Sequence, residues 1–281
     1  MKKTFFIVLI WAFPAICYAG AWSLKEGQLS TELVTNYYSA KEDFDASGNL
    51  KQKPNNGKYS EERMELKFDY GYSDSTDILF YVPIKWSEYE DDNISLHNSG
   101  VVDIGLGFKR VLWYSDKKQS SYVASLLAMA KFSVYDEDDQ LALGTGEDNY
   151  EVKFLLGHSF IEDLIGDTVI HRAFYGAELG FRYRTEGIAD QITYFAEGGY
   201  LIGHGVSVKT EIDGVEAVGD EDRKEDYTIA RLSLTYGTNN NIALTDRDQG
   251  GMSISISYGQ ALLGNNTSEG KEGVLKLMYL F

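Results

Sequence analysis

Along most of the chain, apolar and polar residues alternate one by one in runs of about ten to fourteen residues. Stretches rich in Gly, Asp, Asn and Ser separate the runs. In "ERMELKFDYGY" one face carries Met64, Leu66, Phe68, Tyr70 and Tyr72, and the other Glu65, Lys67, Asp69 and Gly71. "GMSISISYG" sets Met252, Ile254, Ile256 and Tyr258 against Ser253, Ser255, Ser257 and Gly259. A period of two is the signature of a β-strand, whose side chains point alternately to opposite faces. The pattern predicts twelve strands, near 28–40, 60–73, 77–88, 100–114, 120–135, 149–161, 170–185, 190–203, 205–212, 227–237, 251–263 and 272–281.

The last run, "GVLKLMYLF", places Leu275, Leu277, Tyr279 and Phe281 on one face and ends the sequence there. A free apolar edge invites aggregation, so this strand needs a partner, and pairing with the first strand would supply one. An even strand number then brings both termini to one end of a closed antiparallel barrel. A soluble β-sandwich alternates too, but it gives no reason for aromatics to gather at strand ends. Here Tyr37, Trp86, Tyr150, Tyr183 and Tyr258 fall at one end, and Tyr72, Trp113, Tyr122, Tyr236 and Tyr279 at the other. Rings with a polar tip settle at the headgroup level of a membrane. Links at 74–76, 115–119 and 204 are short, whereas 41–58, 89–99, 136–148 and 213–226 are long. That is the asymmetry of periplasmic turns and external loops, with 162–169 and 238–250 as long exceptions on the periplasmic side. The fold class expected is all-β: a transmembrane barrel of about 12 strands in the outer membrane of a Gram-negative bacterium, with both termini periplasmic.

The beginning of the chain agrees with that destination. Lys2 and Lys3 precede an apolar stretch from Phe5 to Ile16, with small residues at Ala19 and Ala21. This is the layout of a secretory signal peptide, 1–19, leaving 20–281 as the barrel; cleavage after Ala21 is the second candidate. Bulky Ile16 before Cys17 argues against lipoprotein processing. Cys17 is the one cysteine, so the processed chain would carry no thiol chemistry. No later stretch reaches the roughly 18 apolar residues of a membrane helix. The formal charge of −17 becomes −19 without Lys2 and Lys3, which speaks against nucleic acid as a partner.

The stretches "AWSLKEGQLS", "YYSAKEDFDASGN", "VVDIGLGFKR", "LGTGEDNY", "YTIARLSLTYG", "GNNTSEG" and the terminal "YLF" follow one another in an order that resembles an outer-membrane β-barrel family, the one named for the MetA-pathway of phenol degradation. The resemblance spans nearly the whole chain after the leader. It implies a barrel and passage of aromatic or other small molecules, and it brings no catalytic residues.

Nothing in the sequence sets up an enzyme or a cofactor site. Of four histidines, His97 lies in a polar link, and His158, His171 and His204 continue the lipid-facing phase near the periplasmic end. His158 and Ser159 are adjacent and point to opposite faces, so they cannot pair within one strand. "DFDASGN" opens like a calcium loop with Asp43, Asp45, Ser47, Gly48 and Asn49, but its twelfth position is Pro54 where a bidentate Glu is required. A solvated turn is the better reading, and no metal is expected. The Gly105–Gly107 and Gly144–Gly146 pairs lie outside any strand–helix context for phosphate binding. Gly105 and Gly107 fall on the lumen face, where they let larger neighbours fill space.

The polar face is where function would reside. It is expected to line the lumen with Glu32, Glu65, Asp69, Asp103, Glu151, Glu178, Glu197 and Glu211, and with Lys67, Lys85, Lys109, Lys131, Lys153, Arg182, Arg184, Lys209, Arg231 and Lys276. Walls so mixed in sign argue against a wide filter for one ion type. Twelve strands lie between filled eight-stranded barrels and open porins, so periodicity leaves plugged and open lumens equal. The loops at 88–99, 136–148, 185–190, 213–226 and 264–272 carry 21 acids against Arg223, Lys224 and Lys271. The function expected is passive, weakly selective passage of small solutes. A closed structural or surface-interaction barrel is the alternative, and a lipid-modifying enzyme the third. Partners expected are outer-membrane lipid, lipopolysaccharide, an unidentified solute and the barrel-assembly machinery. That machinery would read Leu275, Leu277, Tyr279 and Phe281.

Overall fold

The computed structural model describes residues 20–117, 120–135, 141–144, 146–163, 170–203, 205–219, 224–237 and 251–281. The expected leader, 1–19, lies outside them. Its strands are β1 Leu29–Phe44, β2 Leu50–Gln52, β3 Lys58–Ser73, β4 Thr76–Glu90, β5 Ser95–Val101, β6 Ile104–Lys117, β7 Ser120–Phe132, β8 Asn149–Asp163, β9 Ile170–Arg184, β10 Asp190–Gly203, β11 Val206–Val218, β12 Asp226–Gly237, β13 Gly251–Asn265 and β14 Thr267–Leu280. Every neighbouring pair is antiparallel, and β14 pairs with β1 from Ser30↔Leu280 to Phe44↔Thr267. The Phe281 amide donates to the Leu29 carbonyl at 2.9 Å, so the terminal residue is tied into the seam.

The wall has twelve staves. β5 and β6 form one of them, broken by Val102 and Asp103: β4 pairs with β6 over 76–81 and with β5 over 84–90. β2 only extends the rim beside β1, from Glu42↔Gln52 to Phe44↔Leu50.

Several staves run further than the alternation shows. The strand expected at 205–212 continues to Val218, and the link expected at 89–99 is a four-residue turn between β4 and β5. The loop expected at 264–272 shrinks to Asn266, held at φ 49° between β13 and β14. Ser95, His97 and Ser99 point outward along β5, and only Val101 at its end is apolar on that face. Beyond the lipid an outward residue meets water, so the apolar half of the pattern lapses while the hydrogen-bond ladder continues.

Burial follows the two faces. Leu66, Phe108, Phe154, Leu179, Leu232 and Ile256 are among the exposed outward residues, forming an apolar belt. The ten girdle aromatics expected from the sequence are all exposed at its two edges. Tyr150 packs beside Tyr183 across β8 and β9, and Trp113 beside Tyr122 across β6 and β7.

The interior core is built around an unexpected element. Residues 20–26 precede the first strand and lie inside the barrel at the end where Leu29 and Phe281 meet. Trp22 is 2% exposed and packs with Ala21, Val123, Leu127, Leu155 and Phe174. Gly157 makes room for it, since a Cβ there would stand 2.2 Å from the indole ring. The lumen is therefore occluded at this end.

Candidate functional site

Inside the wall, residues 20–26 are held mostly through their backbone, whose polar groups need partners once they leave water. Lys109 of β6 donates to the carbonyls of Trp22 at 2.6 Å and Gly20 at 3.2 Å. The same ammonium pairs with Asp77 of β4 at 2.9 Å, and Asp77 accepts the Leu24 amide at 3.0 Å. Ser125 Oγ donates to the Ala21 carbonyl, and Ser23 Oγ to the Asp74 carbonyl at 2.9 Å. Gly27 and Gly71 close the segment against β3 through Gly27 N to Gly71 O at 2.8 Å.

Above it the inward side chains form a lattice of ion pairs. Glu32 sits between Lys276 at 2.7 Å and Lys67 at 3.4 Å. Glu65 takes Lys67 at 3.2 Å and Arg63 at 2.8 Å. Lys153 meets Glu178 at 3.4 Å and Glu151 at 3.6 Å, and Arg182 meets Glu151 at 3.3 Å. Lys209 joins Glu211 at 2.8 Å and Glu197 at 3.0 Å. Lys85 pairs with Glu61 at 2.8 Å, Arg184 with Glu147, and Arg231 with Asp213 and Glu272. Asp69, Asp103 and Lys131 have no oppositely charged group within ion-pair distance among the described residues.

Sixteen of the eighteen charged positions expected in the lumen line one of two inner volumes, and Asp103 and Arg184 line neither. Further charged residues lie on the inner side, among them Glu61, Arg63, Asp77, Glu147, Asp213 and Glu272. Glu61, Arg63 and Asp77 keep the parity of neighbours already assigned inward, so the alternation would have found them. Asp213 and Glu272 were placed in loops because β11 and β14 were read too short. Glu147 is a loop residue folded into the mouth, 4% exposed, and no periodicity announces it. Its loop also sets Leu143 against Gly100, and the Leu141 carbonyl accepts from Asn98 at 2.9 Å.

Two spaces remain. One, about 560 Å³, lies over residues 20–24 and is lined by Arg63, Lys67, Leu79, Tyr81, Met129, Lys131 and Arg182 among others. The second, about 930 Å³, lies toward the opposite end among Asn36, Tyr38, Tyr59, Lys85, Arg231 and Glu272. Arg63, Glu65 and Tyr227 line both and stand between the two volumes.

The remaining candidates fall outside this space. Leu275, Leu277, Tyr279 and Phe281 are all exposed on the outer face. Asp45 accepts the amides of Ser47 and Asn49 at 2.9 Å each and pairs with Lys51 at 2.8 Å, so its carboxylate is spent on closing a turn. Those three bonds hold it below the ordinary carboxylate range. His97 lies exposed on β5, the side chain of His171 and all of His204 lie outside the described residues, and His158 faces outward.

His158 does meet a serine, though on another strand: Ser120 Oγ lies 2.7 Å from its Nε2. The imidazole stacks on Tyr122 at 3.8 Å and abuts Phe160 and Tyr175, leaving it 1% exposed. Its Nδ1 has no hydrogen-bond partner among the described residues, so the group that would orient a catalytic base is not supplied.

A closed antiparallel wall, an apolar outer belt between aromatic girdles and an ionic interior define a porin-like outer-membrane β-barrel. No known family profile matches the chain, and no curated protein aligns with it. Among solved structures it is similar to the COG4313 outer membrane channel from Pseudomonas putida F1. The two are 13% identical, with a TM-score of 0.63 over 95% of this chain and 100% of that one. The translocator domain of autotransporter NalP from Neisseria meningitidis follows at 9% identity and a TM-score of 0.42, over 92% of this chain and 90% of that one. The first likeness concerns the fold. The name MetA-pathway of phenol degradation finds no counterpart in these comparisons.

Proposed function

We propose that the barrel passes small solutes passively and with weak selectivity. Two inner volumes in succession, with Arg63, Glu65 and Tyr227 lining both, carry this reading, because a filled structural barrel has no use for so much polar space. On this reading the end where Leu29 and Phe281 meet faces the periplasm, and residues 20–26 must shift for anything larger than small ions to leave there. Acidic loops then face outward toward lipopolysaccharide. Aromatic compounds enter as candidate solutes through the family resemblance, and the apolar lining at Leu79, Tyr81 and Met129 is compatible with them. No catalytic role is assigned, since Ser120 and His158 lack an orienting acid among the described residues.

Liposome swelling with a size series of neutral sugars, alongside planar-bilayer recordings, tests the reading. Discrete conductance with faster swelling for the smaller sugars is expected. A folded, heat-modifiable protein that gives neither would leave the closed structural barrel in its place.

A further inference from the structure

We propose that the inner cavity holds a binding subsite for a small organic acid, with Lys131 and Arg63 taking its carboxylate. This rests on the channel reading above and gives that lumen a ligand class.

Two adjacent rungs of the wall build the subsite. Tyr81, Gly105 and Lys131 face one another across β4, β6 and β7, and so do Leu79, Gly107 and Met129. The glycine in the centre of the first rung admits the Tyr81 ring, since a Cβ on Gly105 would stand 1.8 Å from it. In the second rung Leu79 and Met129 close over Gly107 from both sides. The product is an apolar floor with a cation at its edge. Lys131 Nζ stands 5.6 Å from the centre of the Tyr81 ring, a cation–π contact.

That ammonium is anomalous among the inward bases. Lys67, Lys85, Lys109, Lys153, Lys209 and Lys276 each have a carboxylate within 4.0 Å, and Lys131 has none among the described residues. The charges in electrostatic range are Arg182, Arg63 and Lys153 of its own sign, and Glu151, Glu65 and Asp103 of the opposite sign, none of these carboxylates in contact with it. Glu151 is already shared by Lys153 and Arg182. Arg63 contacts Glu65 of its own strand through Nε, and no hydrogen bond of its two terminal nitrogens occurs among the described residues. Arg182 Nε is buried with no hydrogen-bond partner. Charges removed from bulk water require compensation, and Lys131 has no contact carboxylate among the described residues to supply it, because Glu151 and Glu65 are engaged by Lys153, Arg182, Arg63 and Lys67. An incoming carboxylate supplies the missing sign, with guanidinium and ammonium donors on it and its apolar body against Tyr81, Leu79 and Met129. Asp103 also lies in the electrostatic range of Lys131 and Arg63, which favours a monocarboxylate over a dianion.

Benzoate is the probe, with benzamide as its neutral and benzylamine as its cationic counterpart. Each is titrated by saturation-transfer NMR onto the purified full-length barrel in micelles. Benzoate should bind about tenfold more tightly than either counterpart, and Lys131→Gln should remove about that factor while leaving benzamide unchanged. Lys131→Arg should retain the preference, and Lys271→Gln, outside the lumen, should not alter it. Heat-modifiability confirms that each variant is folded. Equal binding of benzylamine, or a benzoate preference untouched by Lys131→Gln and Arg63→Gln, would overturn the subsite. Bilayer recordings on the same preparations separate it from the channel reading. Conductance without benzoate preference removes the subsite alone, whereas benzoate preference without conductance removes the channel reading alone.

Discussion

Trp22 occupies the volume that Gly157 leaves open on β8, and the fit is close enough that no side chain on Gly157 can coexist with the indole in place. Residues 20–26 are thus seated by a steric lock as well as by the Lys109–Asp77 pair beneath them. Gly157→Val should unseat the segment without disturbing the β-ladder, and Trp22→Ala should do the same by removing about 3–5 kcal/mol of packing. Both should raise single-channel conductance several-fold over the parent. Unchanged conductance in both would mean that the segment does not limit passage.

Lys109→Met removes the ammonium that stands 2.9 Å from Asp77, a carboxylate buried at 0% exposure. Breaking one half of a buried pair costs about 3–5 kcal/mol. Lower denaturant resistance should therefore accompany looser seating of residues 20–26, read as faster proteolysis near Trp22. Asp77→Asn with Lys109→Met should recover most of the lost stability, because the buried negative charge is removed together with its ammonium.

Adjacent residues on β13 give a facing test. Ile254 is 37% exposed to the outside, and Ser255 is 7% exposed on the inside. Arg at Ile254 should cost about 2–4 kcal/mol in reversible unfolding from lipid, and Arg at Ser255 much less. Equal costs would contradict the inward and outward assignment.

Phe281 stands exposed at the end of β14, its ring 4.3 Å from that of Tyr279. Deleting it should leave the protein in the periplasm, measured as loss of heat-modifiable barrel from outer-membrane fractions. Normal yield would remove Phe281 and Tyr279 from the assembly signal.

If the loops concentrate negative charge at the mouth, small cations should pass in preference to anions, and the preference should fade as salt shortens a Debye length of about 8 Å. Neutralising Asp136, Glu137, Asp138 and Asp139, which lie outside the described residues, should reduce it in reversal-potential measurements. Anion selectivity, or selectivity constant from low to molar salt, would shift control to the inner bases.

Alternation made the wall legible because lipid on one side and an ionic interior on the other impose opposite chemistry on successive residues. Leu66 beside Lys67 and Ile254 beside Ser255 are enough to face two staves. What stayed hidden lacks that contrast. Residues 20–26 have no strand period, so Trp22 and Leu24 read as a lead-in to β1. Ser120 and His158 are distant in sequence, and only the register Tyr122↔His158 brings them together. The lumen acids and bases were readable as a population, but their partners depend on stagger between strands. Nothing in the order of residues shows that Lys131 would be left without a carboxylate while Lys209 has two.

The seam between β1 and β14 joins residues about as far apart in the chain as any two can be, Ser30 with Leu280. A ring closed this way forms no complete ladder until its final strand has been made. Such non-local pairing is slow, because a long loop of chain must be restrained before the contact forms. Residues 20–26 lie directly before the first stave and inside the finished ring. They are either laid in while the seam is still open or threaded through one end afterwards. Assembly order, and not equilibrium alone, therefore determines which molecules emerge with Trp22 seated, and a population folded with it outside would be held apart from the native one by the wall itself.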